Sequence, residues 1–314
     1  MKTLYAIGEM LIDFTAQETG KLEHAVTFRK NAGGAPANVA VCVSKLGGCA
    51  NVITKLGKDA FGIFLEDTLR KEGVGCDYVF TTDEANTALA FVSRDEKGER
   101  NFSFYRNPSA DMLLNVEDVR YIPFEAGDIL HFGSVDLCDA PVKKAHSAAI
   151  DAAREAGALI SFDPNLRYSL WNSAEELLNT VRSFLPVADI LKVSEEELFD
   201  ITGIADEETA ANSLFRGCVK LIFVTKGSDG AAVYTKQGTR VCVPVDKASP
   251  VVDTTGAGDS FIGTVLFQIL VRGGIEAFTQ DELAVLLRRA NRAATYVVAR
   301  EGAIPAMPVR KEVF

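Results

Sequence analysis

Short apolar segments rich in β-branched residues alternate with helical patterns along almost the whole chain of 314 residues. One such segment, NVITKLG at residues 51–57, precedes an amphipathic pattern in which Asp59 suits a helix N-cap and Gly73 suits the C-terminal stop. The same order recurs at DILHFGS, before a segment that Pro141 can open and Gly157 can close. This alternation predicts a three-layer α/β/α fold, in which helices cover both faces of a mostly parallel central sheet.

Two early regions, residues 14–30 and 86–106, interrupt the alternation because no helical pattern follows them. The second reads as a hairpin with its turn at DEKGE, residues 95–99. Ligands of α/β proteins bind beyond the carboxyl ends of the strands, so a small β-sheet attached near the first strand could act as a lid. Ordinary edge hairpins are the alternative. We find no repeat or linker, and we expect a single domain over residues 1–314.

Composition excludes several classes of function. The net charge is -10 and no cluster of Lys and Arg stands out, so nucleic acids and anionic membranes are not expected partners. The six cysteines lack Cys-x-x-Cys spacing, which is typical of a reducing cytoplasm without structural zinc. Glu9 and Asp13 interrupt the apolar N-terminal run, so it lacks the uncharged core of a signal peptide. We expect a cytoplasmic protein that binds small molecules.

The stretch DTTGAGDSF, residues 253–261, joins a polar segment to a helical pattern expected over residues 260–270. Three of its residues have little or no side chain: Gly256, Ala257 and Gly258. Their N–H groups and the positive end of the helix can bind a phosphate. No Lys follows these glycines, so Mg²⁺ and backbone dipoles are expected to offset the phosphate charge. Asp259 could take the proton of an attacking hydroxyl, and a plain helix-capping acid is the alternative.

A second glycine-rich stretch, NAGGAPANVAVCVSKLGG, spans residues 31–48. Gly33 and Gly34 precede a helical pattern, and a polar ligand could lie against their bare backbone. Asn38 projects from the first turn and supplies both a donor and an acceptor, which sugar hydroxyls need. A tight strand-to-helix turn without a ligand is the alternative at this position.

Taken together, GGAPANVAVCVSKLGG and DTTGAGDSFIG resemble the two signatures of the ribokinase-like carbohydrate kinases, the PfkB family, and the resemblance runs from IGEMLIDF to GAIPAMP. It implies a ribokinase-like fold with a β-sheet lid, and phosphoryl transfer from ATP to a sugar. Asp259 matches the catalytic base, and residues 256–258 match the anion hole. The sugar-binding positions match Asp13, expected at the end of the first strand, together with Gly33, Gly34 and Asn38.

The resemblance also implies a nucleotide site. The loop TKGSDG resembles the loop that runs along ATP, with Thr225, Gly227 and Gly230 at its matching positions, and Asn291 aligns with a residue near the adenine. A β-turn and a polar residue on an amphipathic helix are the alternatives. In KVSEEEL we assign Lys192 to the nucleotide. Many members have Asn at the position of Ser194, and Glu197 remains to orient Mg²⁺ through water, although a capped helix start explains it as well.

A monovalent cation, usually potassium, binds near the anion hole in relatives, and the matching residues here are Asp253, Thr255 and Gly302. Such a cation would stiffen the anion hole. Relatives also often dimerise through their lids, so the resemblance implies a possible homodimer. The Phe-rich alternation of residues 91–104 is compatible with such a contact.

The identity of the sugar substrate is indicated only by the resemblance to subgroups of the family. The segments FSFYR and DPNLR resemble those of fructokinases and of 2-keto-3-deoxygluconate kinases. In the latter, a Tyr-Arg pair and a later Arg meet the substrate carboxylate, and Tyr105, Arg106 and Arg167 match them. The whole set of motifs resembles fructokinases best, which implies the conversion of D-fructose and ATP to fructose 6-phosphate. A 2-keto-3-deoxygluconate kinase is the first alternative, followed by a ribokinase and a non-catalytic sugar sensor.

Overall fold

The computed structural model describes residues 2–94, 100–245 and 251–314, so the turn predicted at residues 95–99 lies outside the described residues. The strands are β1 (Thr3–Ile7), β2 (Leu11–Thr19), β3 (Phe28–Gly33), β4 (Cys49–Gly57), β5 (Gly75–Thr82), β6 (Leu89–Arg94), β7 (Arg100–Tyr105), β8 (Ile129–Phe132), β9 (Leu159–Phe162), β10 (Ile190–Ser194), β11 (Leu221–Thr225), β12 (Ala231–Thr235) and β13 (Arg240–Val243). The α-helices are α1 (Ala35–Lys45), α2 (Ala60–Lys71), α3 (Val116–Val119), α4 (Pro141–Glu155), α5 (Ala174–Phe184), α6 (Glu195–Thr202), α7 (Glu207–Ser213), α8 (Ala257–Arg272), α9 (Gln280–Val298) and α10 (Arg310–Val313).

The larger of the two sheets has the strand order β13-β12-β11-β10-β9-β8-β1-β4-β5. The strands from β5 to β11 pair in parallel, and β12 and β13 extend the edge in antiparallel pairing. Parallel neighbours require crossover connections, which the helices between the strands supply. The mostly parallel sheet predicted from the sequence is therefore confirmed.

Two apolar cores lie on opposite faces of this sheet. In β1, Leu4 and Ala6 join the core that contains the buried side chains of α1, α8 and α9, whereas Tyr5 and Ile7 join the core of α4 to α7. Successive side chains of a strand point to opposite faces, so a strand that is apolar throughout is covered on both sides. The three layers predicted from the sequence are confirmed.

The helix boundaries follow from local chemistry. Asp59 caps α2 through hydrogen bonds from the N–H groups of Phe61 and Gly62, an arrangement worth about 1 kcal/mol. Gly73 adopts a φ of 75° just beyond the end of this helix, as expected. Helix α8 begins at Ala257, three residues earlier than predicted, because Gly256 adopts a left-handed conformation and serves as the N-cap.

The smaller sheet has the strand order β3-β2-β6-β7. Its strands overlap the lid ranges predicted at residues 14–30 and 86–106, and β6 pairs antiparallel with β7 as the hairpin prediction required. The first lid strand begins earlier than expected, at Leu11. Asp13 therefore lies inside β2, on the small sheet, and its predicted place at the end of the first strand is wrong. A sharp break at Gly8, with a φ of 145°, separates β1 from this lid segment.

The small sheet is anchored where β6 begins. Asp59 accepts hydrogen bonds from the backbone N–H and the hydroxyl of Thr87 in addition to those from its own helix. The root of the lid is thus fixed to the start of α2. Among the described residues, no helix combines the length and apolar character needed to cross a membrane.

Candidate active site

A cavity of about 400 Å³ lies between the small sheet and the carboxyl ends of the central strands. Many of the residues predicted to form the site meet there, together with lid residues: Asp13, Gly34, Asn38, Phe102, Phe104, Arg167, Lys192, Thr255, Gly256, Gly258 and Asp259. In an open α/β sheet this is where ligands are expected to bind.

Asp259 lies in the first turn of α8, at the wall of this cavity. Its Oδ2 accepts a hydrogen bond of 2.7 Å from Nδ2 of Asn38, which fixes the carboxylate and leaves Oδ1 free of that bond. Burial raises the pKa of Asp259 to about 6, a rise to which the charge of Asp163 adds, while the Asn38 bond and the cations Lys192 and Arg167 lower it. The group is therefore mainly ionised at neutral pH and basic enough to accept a proton.

Asn38 also has a buried acceptor. Its Oδ1 is buried and has no hydrogen-bond partner among the residues that the structure describes. Such an orphaned polar atom is costly unless a ligand or water completes it. Because solvent does not reach this atom, the predicted role of Asn38 toward a sugar hydroxyl stays a prediction.

The predicted anion hole has the geometry that its glycines require. Gly256 adopts a φ of 81°, and a Cβ there would lie 2.9 Å from the Cβ of Ala303 and 3.1 Å from Cε of Met307. The first N–H groups of a helix have no partner within the helix, and Gly258 and Asp259 in this first turn line the cavity, whereas the N–H of Ala257 donates to the carbonyl oxygen of Thr254 at 3.3 Å. Substitution of Gly256 would force both the backbone conformation and the contact with Ala303 to change.

Lys192 supplies a positive charge that sequence reasoning did not place beside the anion hole. It lies on β10, its Nζ is 3.0 Å from Oδ2 of Asp163, and a Cβ on Gly258 would lie 3.1 Å from the same Nζ. Burial by itself would lower the pKa of Lys192, but Asp163 and Glu197 outweigh this effect, so the pKa is raised and the charge kept. Lys192, which the sequence assigned to the nucleotide, thus lies beside the predicted anion hole, and the expectation that Mg²⁺ and backbone dipoles offset the phosphate charge stays a prediction.

Gly33 and Gly34 are needed for contacts within the protein. A Cβ on Gly33 would lie 2.1 Å from Oδ2 of Asp13, so the bare backbone allows this carboxylate to lie against it. Gly34 has a φ of 110°, and a Cβ there would lie 2.4 Å from the carbonyl oxygen of Glu9. The two glycines position the acidic segment that lines the cavity, and because Gly34 lines the cavity too, the predicted approach of a ligand to this backbone stays a prediction.

Tyr105 is not part of this site. Strand alternation in β7 turns Phe102 and Phe104 toward the cavity, so Tyr105 lies on the opposite face of the small sheet. Its ring centroid lies 5.2 Å from that of Phe91, and 63% of the residue is exposed. The predicted contact between Tyr105 and substrate is therefore wrong.

Arg106 is buried beneath the cavity rather than open to it. Its Nε donates to Oδ2 of Asp111 at 3.0 Å, and its Nη2 forms ion pairs with Asp111 and Asp136. Only 5% of its side chain is exposed, because two aspartates enclose the guanidinium. The predicted role of Arg106 in binding a substrate carboxylate is wrong, since the buried guanidinium pairs with two aspartates and does not line the cavity.

The segment DPNLR contributes more to the cavity than the sequence indicated. Arg167 lines it as predicted, and Asn165 lines it with a φ of 47°, an uncommon conformation that Asn tolerates better than most residues. Asp163 holds Lys192, a role that we did not assign. The signal was available, because DPN follows the carboxyl end of β9, where polar residues face a ligand site.

On the predicted nucleotide side, Thr225 ends β11 and Gly227 begins a short 3-10 turn with a φ of 52°. Gly230 permits close packing, because a Cβ there would lie 2.2 Å from the carbonyl oxygen of Val243. Asn291 lines a separate cavity of about 400 Å³, and its Nδ2 donates to the carbonyl of Val243 at 2.9 Å. These residues lie apart from Asp259, at the edge formed by β12 and β13.

Glu197 forms the predicted capping box with Ser194 at the start of α6. Its Oε2 accepts from the N–H of Ser194 and its Oε1 from the N–H of Leu166, both at 2.8 Å. A carboxylate has further lone pairs, so a water could still donate to it. Within residues 2–94, 100–245 and 251–314, no group of three or more His, Cys, Asp or Glu side chains is arranged to hold a metal ion.

The residues predicted to hold a monovalent cation come together. Oδ1 of Asp253 accepts from the backbone N–H of Thr255 at 2.9 Å and from its hydroxyl at 2.6 Å, while Oδ2 accepts from the N–H of Gly302 at 3.1 Å. One carboxylate thus ties the segment before the anion hole to the loop around Gly302. These contacts join N–H groups and a hydroxyl to the carboxylate, and the predicted cation site stays a prediction.

Comparison with known proteins agrees with this geometry. The description "pfkB family carbohydrate kinase" matches residues 1–310. Fructokinase-1 of Oryza sativa subsp. japonica is 44% identical, over 98% of this chain and 95% of its own length. A Xylella fastidiosa fructokinase with bound ATP superposes with a TM-score of 0.84 at 35% identity, covering 99% of this chain and 96% of that one.

A fructokinase variant from Vibrio cholerae O395, solved with fructose, ADP and a potassium ion, superposes with a TM-score of 0.87 at 33% identity, covering 100% of this chain and 97% of that one. The ribokinase-like fold and the resemblance to fructokinases predicted from the sequence are confirmed. This chain belongs to the pfkB family of carbohydrate kinases.

Proposed function

We propose that this protein is an ATP-dependent fructokinase, which converts D-fructose and ATP to fructose 6-phosphate and ADP. The observation that carries the proposal is the orientation of Asp259 by Asn38 beside Lys192 and the N-terminus of α8, at the wall of the cavity between the two sheets. The choice of fructose rests on the relatives, since the similar enzymes from rice, Xylella fastidiosa and Vibrio cholerae are named fructokinases.

In the proposed reaction, Asp259 accepts the proton of the primary hydroxyl as that oxygen attacks the γ-phosphorus of ATP. The bond between the γ-phosphorus and the β,γ-bridging oxygen breaks, and ADP leaves with the electron pair. Lys192 and the N–H groups at the start of α8 oppose the negative charge on the transferred group. Asn38 keeps Asp259 aimed at the hydroxyl.

Two metal ions complete the proposal. Glu197 would orient the water ligands of Mg²⁺ bound to the ATP phosphates, and this ion would add its positive charge to that of Lys192. Asp253, Thr255 and Gly302 would hold a potassium ion that stiffens the anion hole, and the ion in the Vibrio cholerae structure supports that choice. Asn291, Thr225, Gly227 and Gly230 would face the nucleotide.

We also propose one kinase domain over residues 1–314, a cytoplasmic location and a homodimer formed through the small sheet. Cys42, buried as a free thiol against α8, is compatible with a reducing compartment. The lid face that carries Phe91 and Tyr105 points away from the cavity and is partly exposed, which suits a symmetric contact between two copies.

The substrate is tested by ADP release with Mg·ATP and potassium across D-fructose, 2-keto-3-deoxygluconate, ribose, tagatose and adenosine. We expect D-fructose to have the highest kcat/KM, because the similar enzymes from rice, Xylella fastidiosa and Vibrio cholerae are named fructokinases. Preference for 2-keto-3-deoxygluconate would overturn the fructose assignment and make Arg167 the carboxylate ligand. Sugar binding without turnover of any sugar would instead indicate a non-catalytic sensor.

A further inference from the structure

Glu9 lies on the wall of the active-site cavity, although its role was not considered in the sequence analysis. Glu9 lies just before β2, Leu11 and Asp13 lie within it, and all three line the cavity. Met10 and Ile12, between them, are fully buried. Glu9 and Asp13 therefore belong to the same wall of the cavity.

The position of the Glu9 carboxyl is fixed by the first residue of α1. Its Oε1 accepts a hydrogen bond of 3.0 Å from the N–H of Ala35. Ala35 and Asn38 are three residues apart, so they lie on one face of the helix, about one turn or 5 Å along its axis. Since Asn38 holds Asp259, a single monosaccharide could contact both Glu9 and the catalytic carboxylate.

The surroundings of Glu9 keep it a polar, hydroxyl-binding group. Burial raises its pKa to about 7, and the nearby charge of Arg106 opposes that rise. The guanidinium itself is enclosed by Asp111 and Asp136, so the cavity wall presents the Glu9 carboxyl at this end and not the cation. A carboxyl group in either protonation state can bond a hydroxyl, whereas an ionised Glu9 repels a ligand carboxylate placed there.

We propose that Glu9 is a specificity-determining residue that hydrogen-bonds a substrate hydroxyl remote from the one phosphorylated, and that it favours neutral polyhydroxy sugars over sugar acids. The inference rests on the proposed function only in taking the sugar to bind in this cavity. Glu9 and Asp13 then hold the far side of the sugar while Asn38 and Asp259 hold the reacting side.

The test uses the variants Glu9→Gln and Glu9→Asp in the full chain. Glu9→Gln removes the charge at constant size, and Glu9→Asp withdraws the carboxyl by one methylene. We expect the KM for D-fructose to rise about tenfold in both, which corresponds to about 1.4 kcal/mol, while the KM for ATP changes less than about twofold. The preference for D-fructose over 2-keto-3-deoxygluconate should fall in Glu9→Gln.

Asp128→Asn is the matched control, because Asp128 is a buried carboxylate that accepts from the N–H groups of Thr3 and Glu125 at the opposite end of the sheet. It should leave both KM values unchanged even if it lowers the melting temperature. An unchanged KM for D-fructose in a folded Glu9 variant would overturn the inference, and Glu9→Asp decides if Glu9→Gln does not fold. If the wild-type protein prefers another sugar, the proposed function fails, and the same variants are measured with that sugar.

Discussion

Asp259 has the two properties that a catalytic base needs, a fixed orientation and a pKa near the working range. Asn38 provides the first through one hydrogen bond, and burial provides the second. Lys192 keeps a positive charge close by without neutralising the carboxylate, because its direct ion pair is with Asp163. Asp259 and its partners come from α8, α1, β10 and the segment after β9, so this arrangement exists only once the sheet has formed.

The raised pKa of Asp259 predicts how activity depends on pH. The base must be ionised to accept a proton, and its pKa of about 6 lies above the value of an exposed aspartate. We therefore expect kcat/KM for the sugar to be constant near pH 7.5 and to fall about tenfold for each unit below pH 6. Steady-state rates between pH 4.5 and 8, with ATP saturating, measure this. Constant kcat/KM down to pH 5 would show that a group with this pKa is not the base.

Some residue roles could be predicted from the sequence, and others could not. The backbone roles of Gly256 and Gly258 and the pairing of Asp259 with a helix start could be predicted, because glycine freedom and helix dipoles are local properties. Tyr105 and Arg106 could not be placed, because their directions depend on which face of the small sheet covers the cavity. Glu9 could have been found from its spacing of four residues to Asp13 in an extended segment.

At the scale of elements, the small sheet has two unlike faces. One face carries Asp13, Phe102 and Phe104 and closes the sugar cavity. The other carries Phe14, Phe91 and Tyr105 in a chain of ring contacts with centroid distances of 5.1 and 5.2 Å. The alternation of side chains along these strands thus places one set against the cavity. It places an aromatic set on the opposite face, where a second copy could pack.

The homodimer proposal is tested by placing a charge on that second face. We expect the wild-type chain of 33.9 kDa to sediment at about twice this mass at micromolar concentration, and Tyr105→Lys to sediment as a monomer, because an unpaired buried charge disfavours association. Tyr121→Lys is the control, since Tyr121 is 80% exposed and lies outside the small sheet. A monomeric wild-type protein would exclude the dimer.

For the whole molecule, the sequence predicted the three layers better than the contacts between residues that are distant in the chain. The order of apolar strands and capped helices determined the parallel sheet, because each βα unit carries its own periodicity and stop signals. The contact between Lys192 and the start of α8 joins residues more than sixty positions apart, and no local sequence pattern predicts it. Likewise, Asp253 and Gly302 meet only because α8 and α9 pack side by side.

The central claim is that Asp259 removes the proton of the attacking hydroxyl in the cavity between the two sheets. The most direct test compares ADP release by wild-type protein and Asp259→Asn with D-fructose, Mg·ATP and potassium. Asn keeps the size of the side chain. Because burial raises the pKa of Asp259, the ionised carboxylate destabilises the folded state at pH 7, and the neutral Asn removes this cost. The variant should therefore melt no lower than wild type.

We predict that kcat falls at least about a hundredfold in Asp259→Asn, while the dissociation constant for D-fructose changes less than about threefold. That result would assign the loss to the chemical step. A folded Asp259→Asn variant that retains most of the wild-type kcat would contradict the account, and Asp259 would then be only a helix-capping acid.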